Sequence, residues 1–129
     1  MNQHINPTEL TKPTGYTHVV KSTPGTTIYI SGQIAFDKDA KVVGVGDFRA
    51  QTVQVFENLK AALAACGATF ADVVKVTTFV TDMKNAPTLR EVRAGYFGAN
   101  PPAGTLVQVS GLVIPELMIE IEAVAVVGA

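Results

Sequence analysis

Met118-Ile119-Glu120-Ile121-Glu122-Ala123-Val124-Ala125-Val126-Val127 reads as a strand whose two sides differ in chemistry. Side chains alternate across an extended chain, so Ile119, Ile121, Ala123 and Ala125 line one face. Glu120 and Glu122 share the other, roughly 7 Å apart. Charge on an otherwise apolar strand requires solvent, a partner or a chemical role.

Working back from that strand, Pro101-Pro102-Ala103-Gly104-Thr105 reads as a turn that leads into a strand over residues 106–110. Near the start, residues 18–21 and 26–36 flank Thr23-Pro24-Gly25, the chemistry of a tight turn, and predict an antiparallel pair. Residues 37–41 are a polar turn, and 42–45 a short strand that Gly44 and Gly46 bring to a stop. From Asp47 the apolar period becomes 3.6: Phe48, Thr52, Val55, Leu59, Ala62 or Leu63, and Cys66 form one stripe. Asp47 suits the N-cap of this helix and Gly67 the position just past its end. Cys66, closing the stripe, reads as a small core residue. Residues 73–80 are apolar on both faces, as in a central strand. Asn85 and Pro87 open a second helix, with a stripe of Leu89, Val92 and Tyr96, Phe97 beside it, that ends at Gly98. The order ββ(β)αβαββ predicts an α+β fold, a mixed sheet with two helices on one face.

The 129 residues fit a single domain spanning 1–129, large enough to bury a core without disulfides or metal. An apolar fraction of 47% and a mean hydropathy of +0.27 are high for this length, and lead us to expect an oligomer that buries apolar surface between subunits. The formal net charge of −1, with Lys and Arg scattered, gives no field for nucleic acid. Cys66 is the single cysteine, no N-terminal basic-then-apolar leader is visible, and no apolar run reaches the ~18 residues of a membrane span. A cytoplasmic protein without membrane partners is expected. His4 and His18 lack companions at metal-ligand spacing, and no nucleotide-binding or nucleophile-elbow motif occurs. Neither metal nor cofactor is expected.

Four segments, in order, carry a family resemblance: Pro13-Thr14-Gly15-Tyr16-Thr17, Ile30-Ser31-Gly32-Gln33-Ile34, Val74-Lys75-Val76-Thr77-Thr78-Phe79-Val80-Thr81-Asp82, and Pro102-Ala103-Gly104-Thr105-Leu106-Val107-Gln108-Val109 with Ile119 to Val126. Together they resemble the RidA/YjgF reactive-intermediate deaminase family over nearly the whole chain. The resemblance implies a chorismate-mutase-like fold, assembled as a homotrimer with small-molecule clefts between subunits. It implies that Glu120 holds a water near the imine carbon of the substrate and that Tyr16 covers the cleft. One position departs from the family. Where its deaminases place an arginine after the Pro-Ala pair to clamp the substrate carboxylate, this chain has Gly104.

Each candidate has a chemical and a structural reading. Glu120 and Glu122 are either a general-base pair or a solvated residue beside a tether for the strand. Ser31-Gly32 marks either the close approach of a ligand or a bulge. Tyr16 is either a pocket cap or a packed turn aromatic. Thr105, followed by Leu106, either offers its hydroxyl and backbone N–H to an anion or simply starts a strand. Arg90 stands where family deaminases tend to carry an asparagine, and either supplies a relocated anion clamp or shares a solvated face with Glu91 and Arg93. Two functions follow. The first is cofactor-independent hydrolysis of a small imine or enamine to a carbonyl compound and ammonia, on a substrate other than the usual 2-iminoacid. The second is a non-catalytic trimer that binds a metabolite or serves as a regulatory protein.

Overall fold

A computed structural model describes residues 1–128. Strands β1 (Asn2–Ile5) and β2 (Val19–Ser22) form a small antiparallel ribbon. The main sheet contains β3 (Gly25–Gln33), β4 (Val73–Val80), β5 (Ala103–Gln108) and β6 (Ile119–Gly128), in the spatial order β3-β6-β4-β5. Among the described strands only β4 and β5 pair in parallel, joined by helix α2 (Ala86–Phe97). The sheet is therefore mixed, and with helix α1 (Phe48–Ala65) it completes the expected α+β architecture.

The alternation on β6 sets the layers. Ile119, Ile121, Ala123 and Ala125 are all buried, in one cluster with Val55, Phe56, Leu59 and Leu63 of α1 and Leu89, Val92 and Phe97 of α2. On the opposite face Glu120 pairs with Phe79 and Glu122 with Thr77 across β4, while Tyr29 of β3 stands 80% exposed. Both helices have the expected ends. The Asp47 side chain accepts a hydrogen bond from the Ala50 N–H, and Gly67 follows the Cys66 cap in the left-handed region at φ +69°. Phe56 stacks on Tyr96 at 4.7 Å, and the Tyr96 hydroxyl donates to Glu57 Oε2 at 2.7 Å, so an aromatic seam joins the helices. Burial first, and then this bond to Glu57, push the Tyr96 phenol up to about 12.

Four expectations need correction. The strands around Thr23-Pro24-Gly25 do not pair with each other: β2 pairs with the N-terminal β1, and β3 with β6. Local turn chemistry loses here to the long apolar edge that β6 offers. Residues 42–45 form no strand beyond a single bridge from Val42 to Phe36, because Gly44 and Gly46 both take positive φ. Strand β5 starts at Ala103, inside the expected turn, since its parallel register with β4 begins at Lys75 and Ala103. Cys66 is exposed, not a core residue, because the helix ends there and its last turn rotates past the sheet.

Buried polar groups on α1 hold the irregular segments. The fully buried Gln51 donates through Nε2 to the carbonyls of Gly44 (3.1 Å) and Glu116 (2.8 Å), and its Oε1 accepts from the Met118 N–H (2.8 Å). Asn58 similarly donates to the carbonyls of Ile34 and Phe36. Gln51 therefore fixes the entry to β6, two residues before Glu120. Gln51→Leu, which keeps the bulk and leaves three backbone groups unpaired, is expected to cost about 3 kcal/mol, read as a lower urea midpoint at an unchanged slope. A loss below about 0.5 kcal/mol would show that solvent replaces the amide.

Candidate functional site

Three parts of the chain meet at the β5 side of the sheet, beneath α2. The N-terminal loop is docked there by Thr17, whose N–H donates to the Pro102 carbonyl at 3.0 Å and whose buried hydroxyl bonds to the Pro101 carbonyl. That anchoring brings Thr14 and Tyr16 against β5. The resulting pocket, about 250 Å³, has Gly104, Thr105 and Leu106 on one wall and Arg90 and Arg93 of α2 on another. Val76 and Thr78 of β4 form its floor, because in the parallel register they lie beside Gly104 and Leu106 on the helix-facing side. The volume falls below the roughly 300–1,000 Å³ of drug-sized sites and suits a small metabolite.

Five of the expected residues thus converge: Tyr16, Arg90, Gly104, Thr105 and Leu106. Ser31, Gly32 and Glu120 do not join them within one chain. They form a second group on the other side of the sheet, where a bulge between Ile30 and Gln33 puts Ser31-Gly32 beside β6. The Glu120 side chain lies directly over Gly32: a Cβ there would overlap the carboxylate oxygen and come within 2.8 Å of Cδ. The glycine is thus a space requirement of Glu120, which unites two motifs that look unrelated in sequence. Glu122 is exposed opposite Thr77. It does not share the Gly32 seat.

Arg93 is the residue that sequence reasoning left out of the pocket. Its guanidinium packs on the turn at Gly15, where a Cβ would lie 2.7 Å from Nη2, and Gly15 itself takes φ +76°. Glycine is required there on both counts. Burial, and secondarily the charge of Arg90, hold the Arg93 pKa below the ordinary guanidinium value. Glu91, the acid between the two arginines, pairs with Arg49 of α1 instead. Among the described residues neither Arg90 nor Arg93 is ion-paired. The available signal was the spacing, since residues three apart share a helix face.

At Gly104 the backbone is extended, and a Cβ would meet Val76 Cγ2 at 3.6 Å, the Val76 carbonyl oxygen at 3.9 Å and Tyr16 Cβ at 4.0 Å, ordinary contact distances. The position excludes no side chain at its root. Lys75 donates to the Thr105 hydroxyl, Nζ to Oγ1 2.8 Å, on the face of the sheet opposite Val76 and Gly104. No three His, Cys, Asp or Glu side chains among the described residues group as a metal site. None of the described helices is long and apolar enough to cross a membrane.

Comparison with known proteins agrees with this architecture. The Endoribonuclease L-PSP family pattern matches residues 7–127. A RutC family protein of Pyrococcus horikoshii is 43% identical over 115 residues, 88% of this chain and 89% of the relative. The crystal structure of YyfB from Yersinia pestis, a protein of unknown function in the conserved Rid family, superposes with a TM-score of 0.91 at 40% identity and covers 98% of both chains. RidA from an Antarctic Psychrobacter gives a TM-score of 0.74 at 35% identity, over 97% of this chain and 99% of its own. By sequence pattern and by fold alike, this chain belongs to the Endoribonuclease L-PSP family, which is the RidA/YjgF family its motifs resemble.

Proposed function

We propose that the protein hydrolyses a small imine or enamine to a carbonyl compound and ammonia, in a cleft built from two chains. The observation that carries this reading is the division of the candidate residues into two half-sites. Tyr16, Arg90, Gly104, Thr105 and Leu106 line a pocket, whereas Glu120, seated on Gly32 with Ser31, faces outward from the other side of the sheet. A second copy that presents its Ser31, Gly32 and Glu120 to the pocket completes one site per interface, as in the homotrimer that the family resemblance implies. Repeated head-to-tail contacts of this kind close into a ring.

In such a cleft the chemistry needs one base and one anchor. Arg90 holds the anionic end of the substrate through its planar fork, and Tyr16 covers the reacting carbon. Glu120 takes a proton from water while the water oxygen bonds to the imine carbon and the C=N π pair moves to nitrogen. Glu120 returns that proton to the nitrogen to give the carbinolamine, which then loses ammonia as its hydroxyl proton passes through Glu120 to the departing nitrogen and C=O forms. An enamine enters the same sequence after protonation at carbon. No electron leaves the system, and the reaction requires no cofactor. The endoribonuclease description attached to the family gains no support from this chain, whose net charge is −1.

Two experiments decide. Glu120→Gln and Arg90→Ala should each lower ammonia release from oxidase-generated imines by about 100-fold or more. Unfolding the two variants together and refolding them as a mixture should restore about a quarter of the wild-type rate, because a site shared across a ring then regains both groups in some interfaces. Failure of the mixture to exceed either parent would place both groups in one chain and remove the shared cleft. Separately, Gly104→Arg should raise turnover of monocarboxylate 2-iminoacids by about tenfold, since it adds a charged hydrogen-bond donor at the strand. Ligand-induced thermal stabilisation without ammonia release in any variant would instead establish the non-catalytic binding protein.

A further inference from the structure

The pocket beneath α2 carries more positive charge than one carboxylate neutralises. Arg90 and Arg93 both line it, and no Asp or Glu of the same chain does. Glu91, the neighbouring acid, is engaged by Arg49. The remaining polar side chains of the lining include the neutral hydroxyls of Thr14 and Thr78, which suit the unfilled lone pairs of an anion and supply no countercharge. This concentration occurs in a chain whose net charge is −1, so it is local to the pocket and not part of a basic surface.

The two guanidiniums also differ in setting. Arg90 is exposed at the mouth, whereas Arg93 is partly buried and seated on the Gly15 turn. A fixed cation withdrawn from water and lacking a carboxylate partner costs free energy until an anion meets it. A monocarboxylate on Arg90 leaves Arg93 in that state. Gly104 contributes no side chain, so the β5 wall leaves room for a ligand to extend between the two arginines.

We propose that the pocket selects a small ligand with two anionic groups, a 2-imino- or 2-oxo-dicarboxylate, one carboxylate held by Arg90 and the other by Arg93. The identity of the reacting end rests on the imine-hydrolase reading above; the requirement for two charges rests on the arginine pair alone.

The test is calorimetric titration of the intact protein at low salt with 2-oxoglutarate, with 2-oxopentanoate, which has the same chain length and one carboxylate, and with inorganic phosphate. The dicarboxylate is expected to bind about tenfold more tightly than the monocarboxylate, one charged pair being gained. Arg93→Gln should bring that ratio to about one. Because Arg93 packs on Gly15, its folding is checked by thermal unfolding, and Arg90→Gln, at an exposed position, provides the same readout should Arg93→Gln fail to fold. Equal affinities in the wild type, as would follow if a carboxylate of another chain already satisfied Arg93, overturn the proposal. So does a preference that survives removal of the guanidinium, and so does phosphate binding as tightly as 2-oxoglutarate, which would make the site one for phosphate. A dicarboxylate preference without ammonia release from the glutamate-derived imine would leave this inference standing and refute the hydrolase. Ammonia release without the preference would do the reverse.

Discussion

Strand β6 is hydrogen-bonded along both edges, to β3 and to β4, and this double pinning determines the direction of every side chain that matters here. A shift of one residue would bring Glu120 and Glu122 into the helical core and expel Ile119 and Ile121. The burial of four apolar residues against two helices therefore also orients the acid that the proposed chemistry uses. Gln51 reinforces the register from outside the sheet, since it ties the entry of β6 to α1 through the Met118 N–H and the Glu116 carbonyl. Packing, register and site geometry share one cause.

A similar economy governs the N-terminal segment. Thr17 docks it to the carbonyls of Pro101 and Pro102, just before β5, and this contact carries Tyr16 to the pocket. Gly15 leaves the gap that the Arg93 guanidinium fills. The two glycine motifs thus act alike: Gly32 seats a carboxylate and Gly15 seats a guanidinium, each at a distance no Cβ allows. In both cases the missing side chain is a provision for a charged one elsewhere in the sequence.

Much of the fold was legible because it is encoded locally. The strand over 73–80 and both helices have their limits written in period, cap and terminal glycine, and the structure agrees at each. What local reading missed depends on distant partners. β3 turned away from its sequence neighbour to join β6, and β1, short and polar, carries no pattern apart from β2. Of the candidate site residues, Tyr16, Arg90, Gly104, Thr105 and Leu106 line one pocket. Arg93 escaped because its importance depends on Glu91 turning toward Arg49, a contact between helices that no spacing along α2 reveals. Conversely, the distance between Glu120 and that pocket follows from strand alternation and sheet order together, and only the first is visible in one segment.

The absence of a charged residue at 104 illustrates how this scaffold separates charge from stability. Gly104 is exposed and its root meets only ordinary contacts, so the residue there can change without disturbing Val76 or the core beyond. On α2, Arg90 and Arg93 each follow a buried residue, Leu89 and Val92, that does the packing. The exposed cation Arg90 can therefore be gained or lost while the apolar stripe beneath stays intact. The proposed move of the anion partner from the strand to the helix would change the direction from which a ligand is held, and with it the shape and charge of what fits. The sheet supplies the rigid floor, and in the proposed reading specificity resides in the arginines laid over it.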